Sequence, residues 1–407
     1  MTEEKPMFSA QQAHDLLLAA ALPIAESENV PTQEGNGRVL AVAQVSLIDV
    51  PEADNTSMDG YAVRAADCAS GNATLTVAQR IPAGHVGQPL QPGTAARIFT
   101  GAPIPPGADA VVMQELCEAD GDRVTVNHAP VPGEWIRRAG EDIRNGSVIL
   151  PSGTRLRAQE LGLAASVGLA SLPVVRRPRV AIFFTGDELV MPGEPLRPGT
   201  IYNSNRYLLR ALLENLGCAI GDYGIVPDTL DATRRTISKA ARGHDLIVTS
   251  GGVSVGEEDH IRPAVEAQGR LNMWNIAIKP GKPLALGEID RAGGTTPFIG
   301  LPGNPVSTFI LFLLFVKPFI LRLQGVQNTA PQAYSMRADF SWAKAGPRNE
   351  FLRARINPSG GLDLFANQSS GVLTSAIWGD GLIDNPPGRT IAPGDTVRFL
   401  PFNELLH

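Results

Sequence analysis

Three turn-rich corners in this 407-residue chain carry residue types suited to holding an anionic oxygen group. They read TSGGVSVGEED (Thr249 to Asp259), IKPGKP (Ile278 to Pro283) and GLPGNPVS (Gly300 to Ser307). Each follows or interrupts an apolar, strand-like run. Backbone N–H groups just past a strand have no ladder partner, and a helix starting there adds its positive end. Ser250, Gly251, Gly252 and Ser254 in the first corner, with Pro302 and Ser307 in the third, therefore frame a candidate anion receptor, and the glycines let backbone approach the ligand closely. Lys279 and Lys282 stand on a stiff Pro-Gly-Pro corner between them, with acidic Asp259 at the far side. The combination points to a phosphate-bearing ligand handled with a divalent metal. Plainer readings exist for each string: TSGGV suits any strand-to-helix turn, and Asn304-Pro305 is a complete helix start by itself. Neither GxGxxG nor the GK[ST] ending of a P-loop is present.

Carboxylates are scattered among turn signals: Asp59 in NTSMDGYAV, Asp142 in RRAGEDI, Glu188 in TGDEL, Asp228 in VPDT, and Asp259. Taken singly, each suits a cap or a turn. Convergence of several on one cleft would suit Mg²⁺, which takes carboxylates together with substrate phosphate oxygens. The six histidines show no metal-ligand spacing, and no GxSxG nucleophile string occurs.

The elements that must position these residues read as several domains, as the length requires. Residues 8–21 have helical periodicity behind Ser9 as a cap. From 51 to 145 short apolar runs broken by Gly and Pro suggest an inserted β-rich domain, and 151–170 return to helical periodicity. Residues 1–50 and 146–176 would then form one connecting helical/mixed unit. Residues 177–326 alternate strand and helix, with a hairpin around IKPGKP, the pattern of a doubly wound, parallel α/β domain whose ligands gather at strand carboxyl ends. Residues 327–407 read as a small C-terminal β-barrel-like domain. The expected fold class is thus multidomain α/β and β.

A formal charge of −6 argues against general nucleic-acid binding, which needs a broad basic surface. Three widely separated cysteines without CxxC fit a reducing cytoplasm. Leu16 to Ala25 lacks the basic flank of a signal peptide, and Phe309 to Val316 stops at Lys317-Pro318, short of a bilayer span. No membrane role is expected.

NTSMDGYAVR, RIFTGAPIPPGADAVVMQE, RRAGEDI, FTGDEL, IYNSN, SGGVSVGEED, IKPGKP and GLPGNPVS occur in the order found in MoeA-type molybdopterin molybdotransferases, the gephyrin E-domain family. The resemblance covers essentially the whole chain. It implies insertion of molybdate into adenylylated molybdopterin with release of AMP, Mg²⁺ as cofactor, and an elongated four-domain subunit in a homodimer with composite active sites. Contact with the molybdopterin adenylyltransferase is also implied. By motif match, Asp59, Thr100, Asp142, Glu188, Asp228 and Asp259 would line the cleft, with Asp59 and Asp259 as metal ligands. Ser250, Lys279, Lys282, Ser307, Arg353 and Ser370 would contact the pterin phosphate or the oxyanion. The chain departs from the family at Asn203, where Asp is usual, and NQSSGVLTS follows the tail motif only loosely. An ATP-using adenylyltransferase-like enzyme and a non-catalytic scaffold are the alternatives; the segment 51–145 argues against the first.

Overall fold

The computed structural model describes residues 7–253 and 260–406. Its central layer is a six-stranded sheet in the order 219–226, 179–185, 246–250, 294–301, 283–291, 269–275. The strand Arg179–Thr185 shows why this sheet is a middle layer. Successive side chains point to opposite faces, and Val180, Ile182 and Phe184 enter one apolar core while Ala181 and Phe183 enter another. A strand buried on both faces needs an uninterrupted apolar run, which VAIFF supplies.

The sheet is parallel from Ala219–Val226 through Gly294–Leu301. It then turns antiparallel, because Pro283–Arg291 runs antiparallel to Gly294–Leu301 and, as a hairpin around the IKPGKP corner, to Gly269–Asn275. Short loops force this reversal, since a parallel return needs a long crossover.

Helices flank the sheet where their caps and apolar stripes direct. Ser204–Asn215 starts on the Asn203 side chain, buries Leu209, Leu212 and Leu213, and ends before Gly217 at φ +72°. The apolar segment expected to stop at Lys317-Pro318 instead continues as one helical run, Pro305–Leu323. Proline has no N–H to give, and a π-helical turn at Phe312–Val316 precedes Pro318. This run is long and apolar enough to cross a bilayer, yet 89% of its apolar window is buried inside the protein. Lys317 is buried with it, donating to the carbonyls of Glu404 (2.9 Å) and Leu405 (2.8 Å). Burial pushes its ammonium pKa down to about 8.

The other regions are β-rich. Ser27–Pro31 pairs with Ser171–Val175, and Gln44–Val45 with Val148–Leu150. The chain therefore leaves this small unit and returns to it, with a six-stranded sheet spanning Gly60 to Val126 inserted between. The first helix, Ala10–Ala20, has its capping box at Ser9 and Gln12. It packs elsewhere than grouped from sequence: Ala13 and Leu17 join the core of the α/β layer. The C-terminal region is built on a third six-stranded sheet with two short helices, Thr374–Trp378 and Phe402–Leu406, that its composition does not announce. This sheet recruits Ile278–Lys279 as an edge strand parallel to Asn349–Ile356, which fastens the lysine corner to the C-terminal domain.

Candidate active site

Leu246–Ser250 and Gly294–Leu301 are parallel neighbours in register, Ser250 beside Leu301, so the corners that follow them leave the same sheet edge. The Gly251 amide donates to the Leu301 carbonyl at 3.1 Å. Gly251 has φ +97°, and a Cβ there would lie 2.4 Å from the Thr185 carbonyl oxygen. Gly252 has φ +63°, with a hypothetical Cβ 2.7 Å from Thr185 Oγ1 and 2.8 Å from Ile261 Cγ1. Both the left-handed backbone and the close approach exclude side chains here. Asn304 and Pro305 do begin a helix, but the Asn304 side chain makes no capping bond. Thr308 Oγ1 instead donates to the Pro302 carbonyl at 2.6 Å.

The corners open on a cleft of about 660 Å³. Gly251, Gly252, Pro302, Ser307, Lys279, Lys282, Glu188, Asp228 and Ser370 all line it. The two lysines are not equivalent. Lys279 Nζ is 2.9 Å from a Glu350 carboxylate oxygen, and Glu350, only 2% exposed, also accepts from Trp342 Nε1 at 2.7 Å. Its charge is therefore already balanced by an acid that burial could not otherwise tolerate. Lys282 is exposed and has no ion-pair partner among the described residues. A second cation at the rim, Arg348, donates to the Ile278 carbonyl at 3.1 Å. Arg348 was not foreseen, because only the long-range pairing of Ile278–Lys279 with Asn349–Ile356 brings it here.

Ser250 and Arg353 are placed behind the cleft wall, not on it. Ser250, 2% exposed, donates to the Pro302 carbonyl at 2.9 Å. It borders a side chamber of about 280 Å³ shared with Glu188, Asn203 and Asn205. Arg353, 1% exposed, donates from Nε to Ser375 Oγ (3.0 Å) and from Nη2 to the Ser369 carbonyl (3.2 Å). It braces the Ser369–Ser370 segment, and burial lowers its guanidinium pKa to about 10. The Val306 amide donates to the Ser370 carbonyl at 3.0 Å, tying that segment to the third corner.

Three further expected residues, Asp59, Thr100 and Asp142, do not line the cleft either. Asp59 accepts from the Thr100 amide (2.8 Å) and from Thr100 Oγ1 (2.7 Å) at one edge of the inserted sheet. Those two bonds, backbone first, hold its carboxyl pKa below the ordinary value. Asp142 is exposed at the base of that domain, its amide donating to the Val50 carbonyl at 3.0 Å. Ser254 and Asp259 lie outside the described residues.

Among the described residues no group of three or more His, Cys, Asp or Glu is gathered as a metal would require. Glu188 and Asp228 do face the same cleft. Two carboxylate residues plus substrate phosphate oxygens form the donor set that Mg²⁺ accepts, so the residues present fit that ion.

Comparison with known proteins agrees with the geometry along nearly the whole chain. The profile described as "MoeA N-terminal region (domain I and II)" matches residues 8–168. "Probable molybdopterin binding domain" matches residues 181–322, and "MoeA C-terminal region (domain IV)" matches residues 335–402. A Haemophilus influenzae protein named molybdopterin molybdenumtransferase is 39% identical over 98% of this chain and 100% of its own length. A Nostoc protein of the same name is 38% identical over 92% of this chain and 88% of its own. The crystal structure of a molybdopterin biosynthesis MoeA protein from Pyrococcus horikoshii superposes with a TM-score of 0.85 at 30% identity, covering 97% of this chain and 100% of that one.

Proposed function

The chain belongs to the MoeA family, and from that premise we propose that it is a molybdopterin molybdenumtransferase. In this reading it inserts molybdate into adenylylated molybdopterin and releases AMP. The observation that carries the proposal is the single cleft lined by two glycine corners, Lys282 and Arg348 together with Glu188 and Asp228. A dianionic oxyanion and a pyrophosphate meet there, and each needs a different part of the wall. Backbone N–H groups and the helix starting at Pro305 offer fixed partial positive charge. Lys282 adds a mobile full charge, while Lys279, pinned by Glu350, keeps the Pro280–Gly281 turn in place.

Glu188 and Asp228 would hold Mg²⁺, which supplies charge neutralisation at the pyrophosphate when bound. The remaining work belongs to the chain: Ser307 and Ser370 offer hydroxyls at the cleft wall, and the buried Arg353 keeps the Ser369–Ser370 segment against the third corner. We further propose a homodimer in which Asp59, Thr100 and Asp142 of one subunit complete the cleft of the other. The cytoplasm would be its compartment, and contact with the adenylyltransferase that makes its substrate is part of the same reading.

One assay tests the proposal: AMP release from adenylylated molybdopterin with and without molybdate. Molybdate-dependent AMP release is expected. A requirement for ATP would instead favour an adenylyltransferase-like enzyme, and no turnover by folded protein would favour a scaffold.

A further inference from the structure

We propose that Asn205 is a positioning residue that sets the spacing between the two glycine corners and ties both to the segment carrying Glu188. It is 7% exposed, at the second position of the helix Ser204–Asn215. Its Nδ2 donates to Ser250 Oγ at 2.8 Å and to the Gly303 carbonyl at 2.7 Å. A primary amide has two N–H bonds on one nitrogen, so a single group spans both corners. Both partners must accept, which fixes the orientation of the amide. Ser250 Oγ and Thr308 Oγ1 then each donate to the Pro302 carbonyl, at 2.9 and 2.6 Å. The turn from Pro302 to Gly303 is thus held by three buried side chains, one from each of three elements.

The third connection runs back along the chain. The Asn203 side chain caps the helix, and the Asn203 amide donates to the Val190 carbonyl at 2.9 Å. The Ile201 amide donates to the Glu188 carbonyl at 2.8 Å, inside the short parallel ribbon Leu189–Val190 with Ile201–Tyr202. The helix start that carries Asn205 therefore also anchors the backbone of Glu188. A merely space-filling residue would need no such set of donors; the bonds offset the desolvation of the amide NH2, while Oδ1 has no partner among the described residues, so the group is kept for what its nitrogen holds.

Asn205→Leu keeps similar bulk and deletes both donors, and Asn205→Ser keeps one hydroxyl that cannot reach both corners. Gln324→Leu is the matched control: Gln324 is 6% exposed and donates to the Leu216 carbonyl at 2.9 Å, away from the cleft. Hydrogen exchange at the Gly251 amide, which donates to the Leu301 carbonyl, and at the Thr308 amide, which donates to the Asn304 carbonyl, read on full-length folded protein, should quicken by about tenfold or more in both Asn205 variants. The control should leave those amides protected even if its melting temperature falls as far. The kinetic arm rests on the molybdenumtransferase reading: kcat/KM for molybdate should fall about 100-fold in Asn205→Leu, as misplaced groups do, and stay unchanged in the control. Folded Asn205 variants with wild-type exchange at the corners would overturn the proposal. So would an equal loss of protection in Gln324→Leu. If the wild type shows no molybdate-dependent turnover, the functional reading fails while the exchange arm still decides the role of Asn205.

Discussion

The α/β cleft and the Asp59–Thr100 edge of the inserted β domain are built in opposite ways. The cleft is assembled from three distant corners, braced from behind by buried groups: Asn205, Ser250, Thr308, Glu350 and Arg353. The β-domain edge is local, one carboxylate held by two bonds from one threonine. A braced cleft can present fixed charge to an anion without reorganising. A lightly held carboxylate is suited to closing on a ligand that another surface has already bound. Among the described residues neither Asp59 nor Thr100 lines the cleft of its own chain, which is the physical ground for proposing that the two regions meet between chains.

The largest effect should come from breaking the braced region at its tightest point. Gly251→Ala puts a Cβ against the Thr185 carbonyl at a backbone φ of +97°. It should cost about 1–3 kcal/mol of stability and reduce AMP release about 100-fold or more by displacing the corner. Thermal unfolding and steady-state assay together check this. A folded Gly251→Ala enzyme of normal activity would mean the corner is not a wall of the working site.

The two lysines divide the cleft's charge from its bracing. Lys282→Ala should raise KM for molybdate about tenfold, the scale of one lost charge-assisted contact, with the melting temperature unchanged. Lys279→Ala should instead lower stability by about 1–2 kcal/mol, because Glu350 is left buried with only Trp342 as partner. Equal kinetic loss without destabilisation in both variants would erase the distinction drawn here.

The smallest effect belongs to the β-domain edge. Thr100→Val removes one of the two bonds on Asp59 and should move its carboxyl pKa back toward the ordinary value, read by carboxyl NMR titration. Asp59 binds its proton less tightly when folded than when unfolded. Its contribution to stability is therefore present above the unfolded pKa and is lost as pH falls through the lower, folded value. In Thr100→Val that contribution is smaller: its loss still begins near the unfolded pKa but is complete at a higher pH, and stability near pH 7 falls only slightly, as for other exposed positions. An unmoved titration would show that the backbone bond alone sets the Asp59 pKa.

Local signals made much of this molecule legible in its sequence. Ser9 before the helix over 8–21 and the apolar strand runs of 177–326, such as VAIFF, act within a few residues, and each forms the element expected of it. The corners after Ser250 and Leu301 were legible for the same reason. What stayed hidden depends on partners far along the chain. Arg348 reaches the cleft only through strand pairing seventy residues away, between Ile278 and the strand beginning at Asn349. Lys279 looked like a free cation until Glu350 was placed beside it. Arg353 and Ser250 were expected to touch the ligand and are instead supports, a difference of a few ångströms in depth that residue type does not encode. Asn205 sits in the IYNSN string, but nothing in that string tells that its amide spans two other loops.

The composite site is tested most directly by mixing two inactive subunits, Asp59→Asn and Asp228→Asn, with mixed dimers confirmed by native mass spectrometry. If the β-domain edge of one subunit completes the cleft of the other, each mixed dimer carries one intact site and one doubly damaged site. It should then show about half of wild-type AMP release per dimer for independent sites. Mixed dimers that form and remain as inactive as either parent would contradict the account, since every site would then carry a lesion.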